Sequence, residues 1–428
     1  MEPGHRIFFE TYGCSYNLAE TETMAGVLSR QGHEQVKRIE NADVVIVNSC
    51  SVKEATVKKI LFRLRELREM YPEKRVVVTG CLSATERESI DSIGGVAVAG
   101  RLGKGMDIDE MLSGVDGKGK LLEPVCMPKM RTNEFIDIVP ICRGCDSRCT
   151  FCVTKVARGD IYSFPQEKII SEIESMKKSG VKEFWITGQD VSAYGIDISG
   201  IPALPHLIDS ITGAVGGKYF LRIGMLNPRH AMSMSNGLLK SYRSDNVFKF
   251  LHLPVQSGSD KVLGAMNRGY SASDFMEIVS KFRRHFPKIT IWTDIIAGFP
   301  GETDDDFRMS VRLLEDTEPD FVNVSGFSSH KKAPASRMAQ VPTHTRKERT
   351  RELSALSERL SLKKNAAWVG WQGEVLVDEY KKEHGNYIAR NFAYKPIAIR
   401  SSDAIAGKLI KARVTGATPT CLLGEIIS

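Results

Sequence analysis

The segment ICRGCDSRCTFCVTKVARG (residues 141–159) places four cysteines within eleven residues, directly after a short apolar run. That run, FIDIVPIC (residues 135–142), is rich in β-branched side chains, which favours a buried strand of a parallel sheet. The chain has 428 residues and nine cysteines, and its first residues lack a charged-then-apolar leader. In such a chain, clustered cysteines are typical of metal ligands rather than disulfides.

Five more apolar runs follow this strand, and helical intervals separate them. Six strand–helix units are fewer than the eight of a closed barrel, so the pattern predicts a partial (β/α)6 barrel with its active face at the carboxyl ends of the strands. Polar or glycine-rich loops follow several of these strands, as the cysteine cluster does. The six runs are FIDIVPIC, KEFWITG, YFLRIG, FKFLHLP, ITIWTDIIAGFP and DFVNVSGF.

The region before residue 130 alternates short apolar runs with amphipathic segments. This βαβαβ order predicts a doubly wound parallel sheet with helices on both faces. Cys14, Cys50 and Cys81 each stand near the end of a predicted strand. Ligands of such sheets collect outside the carboxyl ends of the strands, so the three thiols are expected at one edge.

The residue types alone leave two interpretations of these three thiols open. Free cysteine is among the most buried residue types, so each could be an ordinary core residue. Three cysteines at equivalent strand ends favour a metal centre instead. Three thiolates without a fourth protein ligand suit a centre that keeps one coordination position open for chemistry.

The region after residue 342 has two parts. Residues 343–367 predict a basic helix, and a charged run of this kind is usually a solvated face. Five short strands after Trp371 predict a small β-barrel of about sixty residues. Basic and aromatic side chains alternate in it, a mixture that binds RNA through phosphate contacts and base stacking. These side chains are Tyr387, Arg390, Phe392, Tyr394, Arg400, Lys408, Lys411 and Arg413.

Cys145, Cys149 and Cys152 form the pattern C-x3-C-x2-C. Three thiolates can hold three irons of a four-iron cluster and leave the fourth open, and this spacing resembles that of the radical S-adenosylmethionine superfamily. With Cys142 the pattern could also supply four ligands to a closed zinc or electron-transfer site. The barrel pattern disfavours that alternative, so we expect Cys142 to pack as a small apolar side chain. Cys126 and Cys421 stand apart, and we assign them no role.

The whole chain resembles the methylthiotransferase family of radical S-adenosylmethionine enzymes. Within that family it looks most like the archaeal and eukaryotic branch, which modifies N6-threonylcarbamoyladenosine in transfer RNA. By this resemblance, residues 1–130 are the N-terminal methylthiotransferase domain, residues 131–366 the radical domain, and residues 367–428 a TRAM-like RNA-binding barrel. The motifs that carry it are TYGCSYNLAETETMAG, NSCSVKEAT, TGCLS, GCDSRCTFCVTKVARG, TGQDVSAYG, LRIGMLNP, LHLPVQSGSDKVLGAMNRGY, TDIIAGFPGET and ARNFAYKPI.

The resemblance implies two four-iron clusters and S-adenosylmethionine as cofactors. Cys145, Cys149 and Cys152 would hold the radical-forming cluster, and Cys14, Cys50 and Cys81 an auxiliary cluster that presents the sulfur. The product would be a methylthio group at C2 of the adenine. The residues expected around S-adenosylmethionine are Gly188, Gln189, Asp190, Arg222 and Gln256, with residues 295–302 packing against its adenine. Arg158 and Lys155 are expected to favour ionised thiolates.

The partners and location follow from the same interpretation and from composition. The net charge of +7 permits a polyanion such as transfer RNA as a partner. No run approaches the twenty apolar residues of a membrane span, so we expect a cytoplasmic protein without membrane contact. We also expect a monomer served by an electron-donor protein. Alternative functions are methylthiolation of N6-isopentenyladenosine or of a ribosomal-protein aspartate, and a non-catalytic metal-binding RNA-binding protein.

Overall fold

The computed structural model describes residues 4–52, 54–99 and 123–427. Three β-structures follow one another along this part of the chain: a parallel sheet, a partial barrel of parallel strands and a small closed barrel. No helix within the described residues is long and apolar enough to cross a membrane.

The N-terminal sheet is parallel throughout, with strand order β2-β1-β3-β4-β5. Side chains of the fully buried β3 alternate between two cores: Val45 and Val47 pack on one face, and Val44 and Ile46 on the other. Helices α1 and α2 cover opposite faces, which confirms the predicted doubly wound sheet. Its elements are β1 (Arg6–Thr11), α1 (Ser15–Arg30), β2 (Glu34–Gln35), β3 (Val44–Ser49), α2 (Glu54–Met70), β4 (Arg75–Gly80), α3 (Cys81–Thr85), α4 (Arg87–Asp91) and β5 (Val96–Val98).

The central region contains all six predicted strands, arranged as two parallel three-stranded sheets of order β10-β9-β6 and β11-β12-β13. Helices surround them and bury one continuous apolar core. Its strands are β6 (Ile136–Pro140), β7 (Cys142–Arg143), β8 (Tyr162–Ser163), β9 (Glu183–Thr187), β10 (Phe220–Ile223), β11 (Phe250–His252), β12 (Thr290–Ala297) and β13 (Phe321–Gly326). Its helices are α5 (Thr154–Arg158), α6 (Gln166–Lys178), α7 (Ile196–Ser199), α8 (Leu204–Ala214), α9 (Pro228–Ser233), α10 (Ser235–Ser241), α11 (Asp260–Ala265), α12 (Ala272–His285), α13 (Asp304–Thr317) and α14 (Thr343–Ala366).

The N-terminal region bridges the two edge strands of the partial barrel. On one side α1 packs against β6, and the Ser15 hydroxyl lies 2.8 Å from that of Thr187. On the other, the backbone N–H of Glu54 donates to the Ser328 hydroxyl just beyond β13. The carboxyl ends of the strands of the N-terminal sheet and of the partial barrel therefore face the same space.

Local capping fixes the loops at this end of the barrel. Helix α13 begins with a capping box in which Thr303 and Asp306 satisfy each other's backbone N–H groups. The Asp306 carboxylate also accepts from the Ser259 hydroxyl at 2.6 Å, so the start of α13 holds the loop after β11. Hydrogen bonds, not only apolar packing, therefore set the shape of the active face.

The C-terminal barrel is closed, with order β14-β15-β16-β18-β17, as predicted. It packs against the inside of the partial barrel, where Tyr394 contacts Phe248 and Phe250 with ring centres 4.9 Å apart. Beside it, Arg390 pairs with buried Asp378 at 3.0 Å. Burial removes Arg390 and Tyr394 from the predicted RNA surface, so that part of the prediction is wrong. The strands are β14 (Gln372–Lys381), β15 (Asn386–Arg390), β16 (Pro396–Ile399), β17 (Leu409–Ala417) and β18 (Leu422–Ile426).

Candidate active site

A cavity of about 560 Å³ lies where the N-terminal sheet meets the partial barrel. Six of the nine cysteines line it, and they are those that form the two predicted triads. The sequence therefore identifies the thiols of this cavity correctly as a set. They are Cys14, Cys50, Cys81, Cys145, Cys149 and Cys152.

The loop triad, defined as Cys145, Cys149 and Cys152, is shaped by backbone hydrogen bonds. The N–H of Ser147 donates to the Cys145 sulfur at 3.4 Å, and the N–H of Thr154 donates to the Cys152 sulfur at 3.3 Å. Such bonds stabilise thiolate sulfur, which suits a metal ligand. Gly144 opens the loop with φ +78°, and a Cβ there would clash with a backbone oxygen.

Arg268 is the charged neighbour of the loop triad. Its guanidinium donates to the Cys149 sulfur at 3.2 Å and to the Tyr270 hydroxyl at 2.8 Å. Sequence reasoning did not assign Arg268 a role, although it lies within the quoted motif LHLPVQSGSDKVLGAMNRGY. This arginine contributes positive charge where a cluster of thiolates would be negative.

The strand-end triad, defined as Cys14, Cys50 and Cys81, follows β1, β3 and β4, which are neighbours in the sheet. Two buried amides join the first two strand ends: Asn17 donates to the Asn48 side chain at 3.2 Å, and Asn48 donates back to the Asn17 carbonyl at 2.8 Å. The sheet and this amide pair thus hold the three thiols at one edge.

Arg158 connects the two triads, because it follows the loop triad in sequence and reaches the strand-end triad in space. Its Nε donates to the Cys81 sulfur at 3.2 Å, and its Nη2 donates to Glu20 at 2.8 Å. Arg158 lies where it can favour the thiolates, as expected. Lys155 does not, so that expectation is wrong: it pairs with exposed Asp160 at 2.7 Å and does not line the cavity.

Burial is the largest influence on the pKa of one thiol in each triad, Cys81 and Cys145. It raises the pKa of Cys81 to about 11, although Arg158 acts in the opposite direction. Burial also raises the pKa of Cys145 to about 12. Arg158 therefore favours the Cys81 thiolate, as expected, but burial outweighs it in the free protein. Metal coordination has to displace thiol protons, which makes it favourable only when the metal binds strongly.

Cys142 lies outside the cavity, in the apolar core behind Gly188. A Cβ on residue 188 would lie 2.7 Å from the Cys142 sulfur, so glycine is needed for this close packing. The predicted non-ligand role agrees with this burial. In residues 4–52, 54–99 and 123–427, no three or more His, Cys, Asp or Glu side chains are arranged to hold a single metal ion. Neither observation supports a closed four-thiolate zinc site.

All five residues predicted to contact S-adenosylmethionine line the cavity: Gly188, Gln189, Asp190, Arg222 and Gln256. Two also support the loops. The Gln189 side chain accepts from the N–H of Gly144 at 2.7 Å, and buried Asp190 caps the turn that begins at Val191. Gln256 adopts φ +74°, a left-handed conformation that is costly for a residue with a side chain. Such strain is common at binding sites.

Arg222 forms the floor of the cavity. Its guanidinium carbon lies 5.2 Å from the ring centres of Trp185 and Phe250 and 5.5 Å from that of Tyr394. Its Nε is buried without a hydrogen-bond partner in the described structure. Three aromatic faces thus stabilise the cation by cation–π contacts while its charge faces the cavity. This arrangement can bind a carboxylate.

A second cavity of about 210 Å³ adjoins the first and shares Phe151, Cys152 and Gln256 with it. Ile295 and Ile296 line this apolar pocket, as expected for part of residues 295–302. The rest of that segment does not line this pocket; the Gly298 N–H donates to Glu302 at 2.8 Å, and Phe299 packs in a neighbouring apolar cluster. Residues of β12 and β13 add a polar wall that the sequence did not reveal: Asp294 accepts from Asn323 at 2.7 Å.

Comparison with known proteins agrees with this geometry. Residues 6–100 match the model described as "Uncharacterized protein family UPF0004", and residues 139–314 match the Radical SAM superfamily. A structure of the radical S-adenosylmethionine methyltransferase TsrM from Kitasatospora setae is similar in fold, with a TM-score of 0.55 and 15% identity over 77% of this chain and 75% of that one. Fold and site together define a radical S-adenosylmethionine enzyme.

Relatives with similar full-length sequences narrow this class. A probable threonylcarbamoyladenosine tRNA methylthiotransferase of Pyrococcus horikoshii is 38% identical over 99% of this chain and 100% of its own length. A threonylcarbamoyladenosine tRNA methylthiotransferase of Drosophila melanogaster is 33% identical over 99% of this chain and 78% of its own length. The chain belongs to the threonylcarbamoyladenosine tRNA methylthiotransferase family. The predicted transferase class and cofactors, two four-iron clusters and S-adenosylmethionine, are confirmed.

Proposed function

We propose that this protein adds a methylthio group to C2 of N6-threonylcarbamoyladenosine in transfer RNA. The observation that carries the proposal is the single cavity lined by both cysteine triads. A methylthio transfer needs a radical source and a sulfur source near one adenine. One cavity with two sets of three thiols can hold both.

The loop triad would hold the cluster that binds S-adenosylmethionine, and the strand-end triad would hold the auxiliary cluster. The donor set suits both groups, because cysteine thiolates are the usual ligands of iron–sulfur clusters. When bound, these groups supply the electron that cleaves S-adenosylmethionine to a 5′-deoxyadenosyl radical and the sulfur that is inserted. The protein orients the reactants and excludes water from the cavity.

The remaining residues of the cavity would position S-adenosylmethionine. Gly188, Gln189 and Asp190 form the wall beside the loop triad, and Gln256 separates the two cavities. Arg222 offers its cation-π-stabilised charge to a carboxylate. The apolar pocket lined by Ile295 and Ile296 would receive an adenine ring.

The regional organisation supports transfer RNA as the substrate. We assign residues 1–130 to the auxiliary-cluster domain, residues 131–366 to the radical domain and residues 367–428 to a TRAM-like RNA-binding barrel. Lys408, Lys411 and Arg400 remain exposed on that barrel and can contact phosphates. We further propose a cytoplasmic monomer that receives electrons from a separate donor protein.

The test is anaerobic reconstitution, incubation with S-adenosylmethionine, reductant and transfer RNA bearing N6-threonylcarbamoyladenosine, and mass spectrometry of the nucleosides. The expected product is the 2-methylthio derivative. It should disappear in Cys145→Ala and persist in Cys142→Ala, the matched control for a neighbouring cysteine without a ligand role. Formation of 5′-deoxyadenosine with an unchanged nucleoside would contradict the substrate. Loss of activity in Cys142→Ala with intact folding would contradict the ligand assignment.

A further inference from the structure

An open groove of about 500 Å³ lies on the outer side of β13, against the first two turns of α14. Arg346, Lys347 and Arg351 line it, and its lining includes no carboxylate. Two threonines add hydroxyl groups. The groove is thus a concentrated positive surface with hydrogen-bond donors, defined by Gly326, Phe327, Thr343, Arg346, Lys347, Thr350 and Arg351.

Two of the three cations of this groove have no ion-pair partner among the described residues. Lys347 and Arg351 are exposed, one helical turn apart, and neither forms a side-chain hydrogen bond or ion pair within the described part of the chain. Like charges at this spacing destabilise a helix slightly. They follow the first turn of α14, which contains no acidic residue. Their spacing does not stabilise the helix, so helix stability does not explain their presence.

The other half of the same helix provides a contrast. Arg359 pairs with Glu315, and Lys363 and Lys364 pair with Glu318. The neighbouring helix α13 has the usual acidic residues at its amino end, with three aspartates in its first turn. The unpaired cations are therefore concentrated at the end of α14 that lies next to the active face.

The groove adjoins the smaller, apolar cavity, which in turn opens to the cavity that both triads line. It shares Gly326 and Phe327 with the apolar cavity on the inner side of β13. Arg346 fixes this wall, since its Nη1 donates to the Phe327 carbonyl at 2.6 Å and its Nη2 to the Thr343 hydroxyl at 3.0 Å. The Thr343 hydroxyl, which accepts from Arg346, keeps its own proton for a ligand.

We propose that this groove binds the phosphodiester backbone of the transfer RNA beside the modified nucleotide. An adenine inserted into the large cavity would leave its flanking phosphates outside, and the groove with Lys347 and Arg351 lies on the outer side of β13, whose inner side lines the smaller cavity. Phosphate is the ligand that unpaired lysine, arginine and threonine hydroxyl groups together suit. This inference rests on the proposed function, and it assigns RNA binding to the radical domain as well as to the C-terminal barrel.

The experiment measures binding of transfer RNA bearing N6-threonylcarbamoyladenosine to the reconstituted full chain at several salt concentrations. The groove variant is Lys347→Gln/Arg351→Gln, and the matched control, with the same loss of charge on the same helix, is Arg359→Gln/Lys363→Gln. The groove variant should bind roughly 10-fold more weakly near 0.1 M salt, and its salt slope should fall by about 2. The control should stay within about twofold of the wild type. Lys347→Arg, which keeps the charge, should bind like the wild type.

The outcomes separate this inference from the function on which it rests. If the wild type binds the RNA and the groove variant binds equally well, the groove assignment is overturned and the proposed function stands. Equal weakening in both double variants would overturn it too, because general charge would then explain the binding. If the wild type binds no transfer RNA, the proposed function fails and the groove assignment fails with it.

Discussion

The two cysteine triads face one cavity but are built in opposite ways. Cys145, Cys149 and Cys152 lie in one loop, where local backbone N–H groups donate to Cys145 and Cys152. The strand-end triad comes from three separate crossovers of a parallel sheet. The first arrangement depends on a few neighbouring residues, whereas the second exists only when the whole N-terminal sheet is folded.

The same contrast appears in the arginine beside each triad. Arg268 contacts Cys149, a hydroxyl and a backbone carbonyl, but no carboxylate of the residues that the structure describes. Arg158 contacts Cys81 and also pairs with the partly buried Glu20 of α1. Arg268 therefore acts mainly on the Cys149 thiol, whereas Arg158 also joins the N-terminal sheet to the barrel.

The largest effect is expected from removing each triad in turn. Each triple cysteine-to-alanine variant should retain roughly half of the wild-type iron if, as proposed, each triad holds one of two similar clusters. The loop-triad variant should lose 5′-deoxyadenosine formation, whereas the strand-end variant should keep it and lose only the methylthio product. Iron analysis and product analysis after reconstitution measure this. Loss of all iron in either variant would show that the triads do not bind independently.

An intermediate effect is expected at the arginines. Arg268→Met and Arg158→Met should each lower activity roughly 10- to 100-fold, the usual cost of losing a group that contacts metal ligands. Only Arg158→Met should also lower the free energy of unfolding, by about 3 kcal/mol, because it leaves Glu20 partly buried and unpaired. Thermal unfolding measures this difference.

The control for that prediction is the double variant Arg158→Met/Glu20→Gln. It should recover most of the lost stability but not the activity. Equal stability of the two single variants would contradict the structural role of Arg158.

The smallest effect on the clusters is expected from substituting Glu183, a buried residue of the floor beneath both triads. Burial, reinforced by Asp378, raises the pKa of Glu183 to about 8. A carboxyl group whose folded-state pKa is raised contributes its full stability below the unfolded pKa and loses it as pH rises through the folded value. The wild type should therefore lose on the order of 2–4 kcal/mol between about pH 4.5 and pH 8 that Glu183→Gln does not lose.

Thermal unfolding of both proteins across that pH range measures the difference, and iron content should be unchanged. The matched control is Glu374→Gln, an exposed residue that pairs with Lys218. It should keep the wild-type pH dependence. Parallel pH profiles for Glu183→Gln and the wild type would contradict the raised pKa.

The features that the sequence predicted are those with a local or periodic cause. Apolar β-branched runs identified the strands, and strand-end positions were enough to group Cys14, Cys50 and Cys81 at one edge of the sheet. The short strands β2 and β5 were not predicted, because segments of two and three residues carry no periodic signal.

Features that depend on packing between distant segments were missed. Arg268 meets Cys149 only through the fold, and the aromatic surround of Arg222 combines three separate strands and loops. The errors at Arg390 and Tyr394 have the same cause. Basic and aromatic residues look alike in sequence whether they face RNA or a neighbouring domain, and only burial separates the two cases.

The packing of Tyr394 and Leu376 against Phe220 and Phe250 restricts how this chain can be divided or recombined. A fragment ending at residue 366 would expose an apolar floor and leave Glu183 without Arg390. Exposed apolar patches of this kind favour aggregation. The C-terminal barrel is therefore not an exchangeable appendage, and a chimaera carrying a different C-terminal module would need a new floor designed for its cavity.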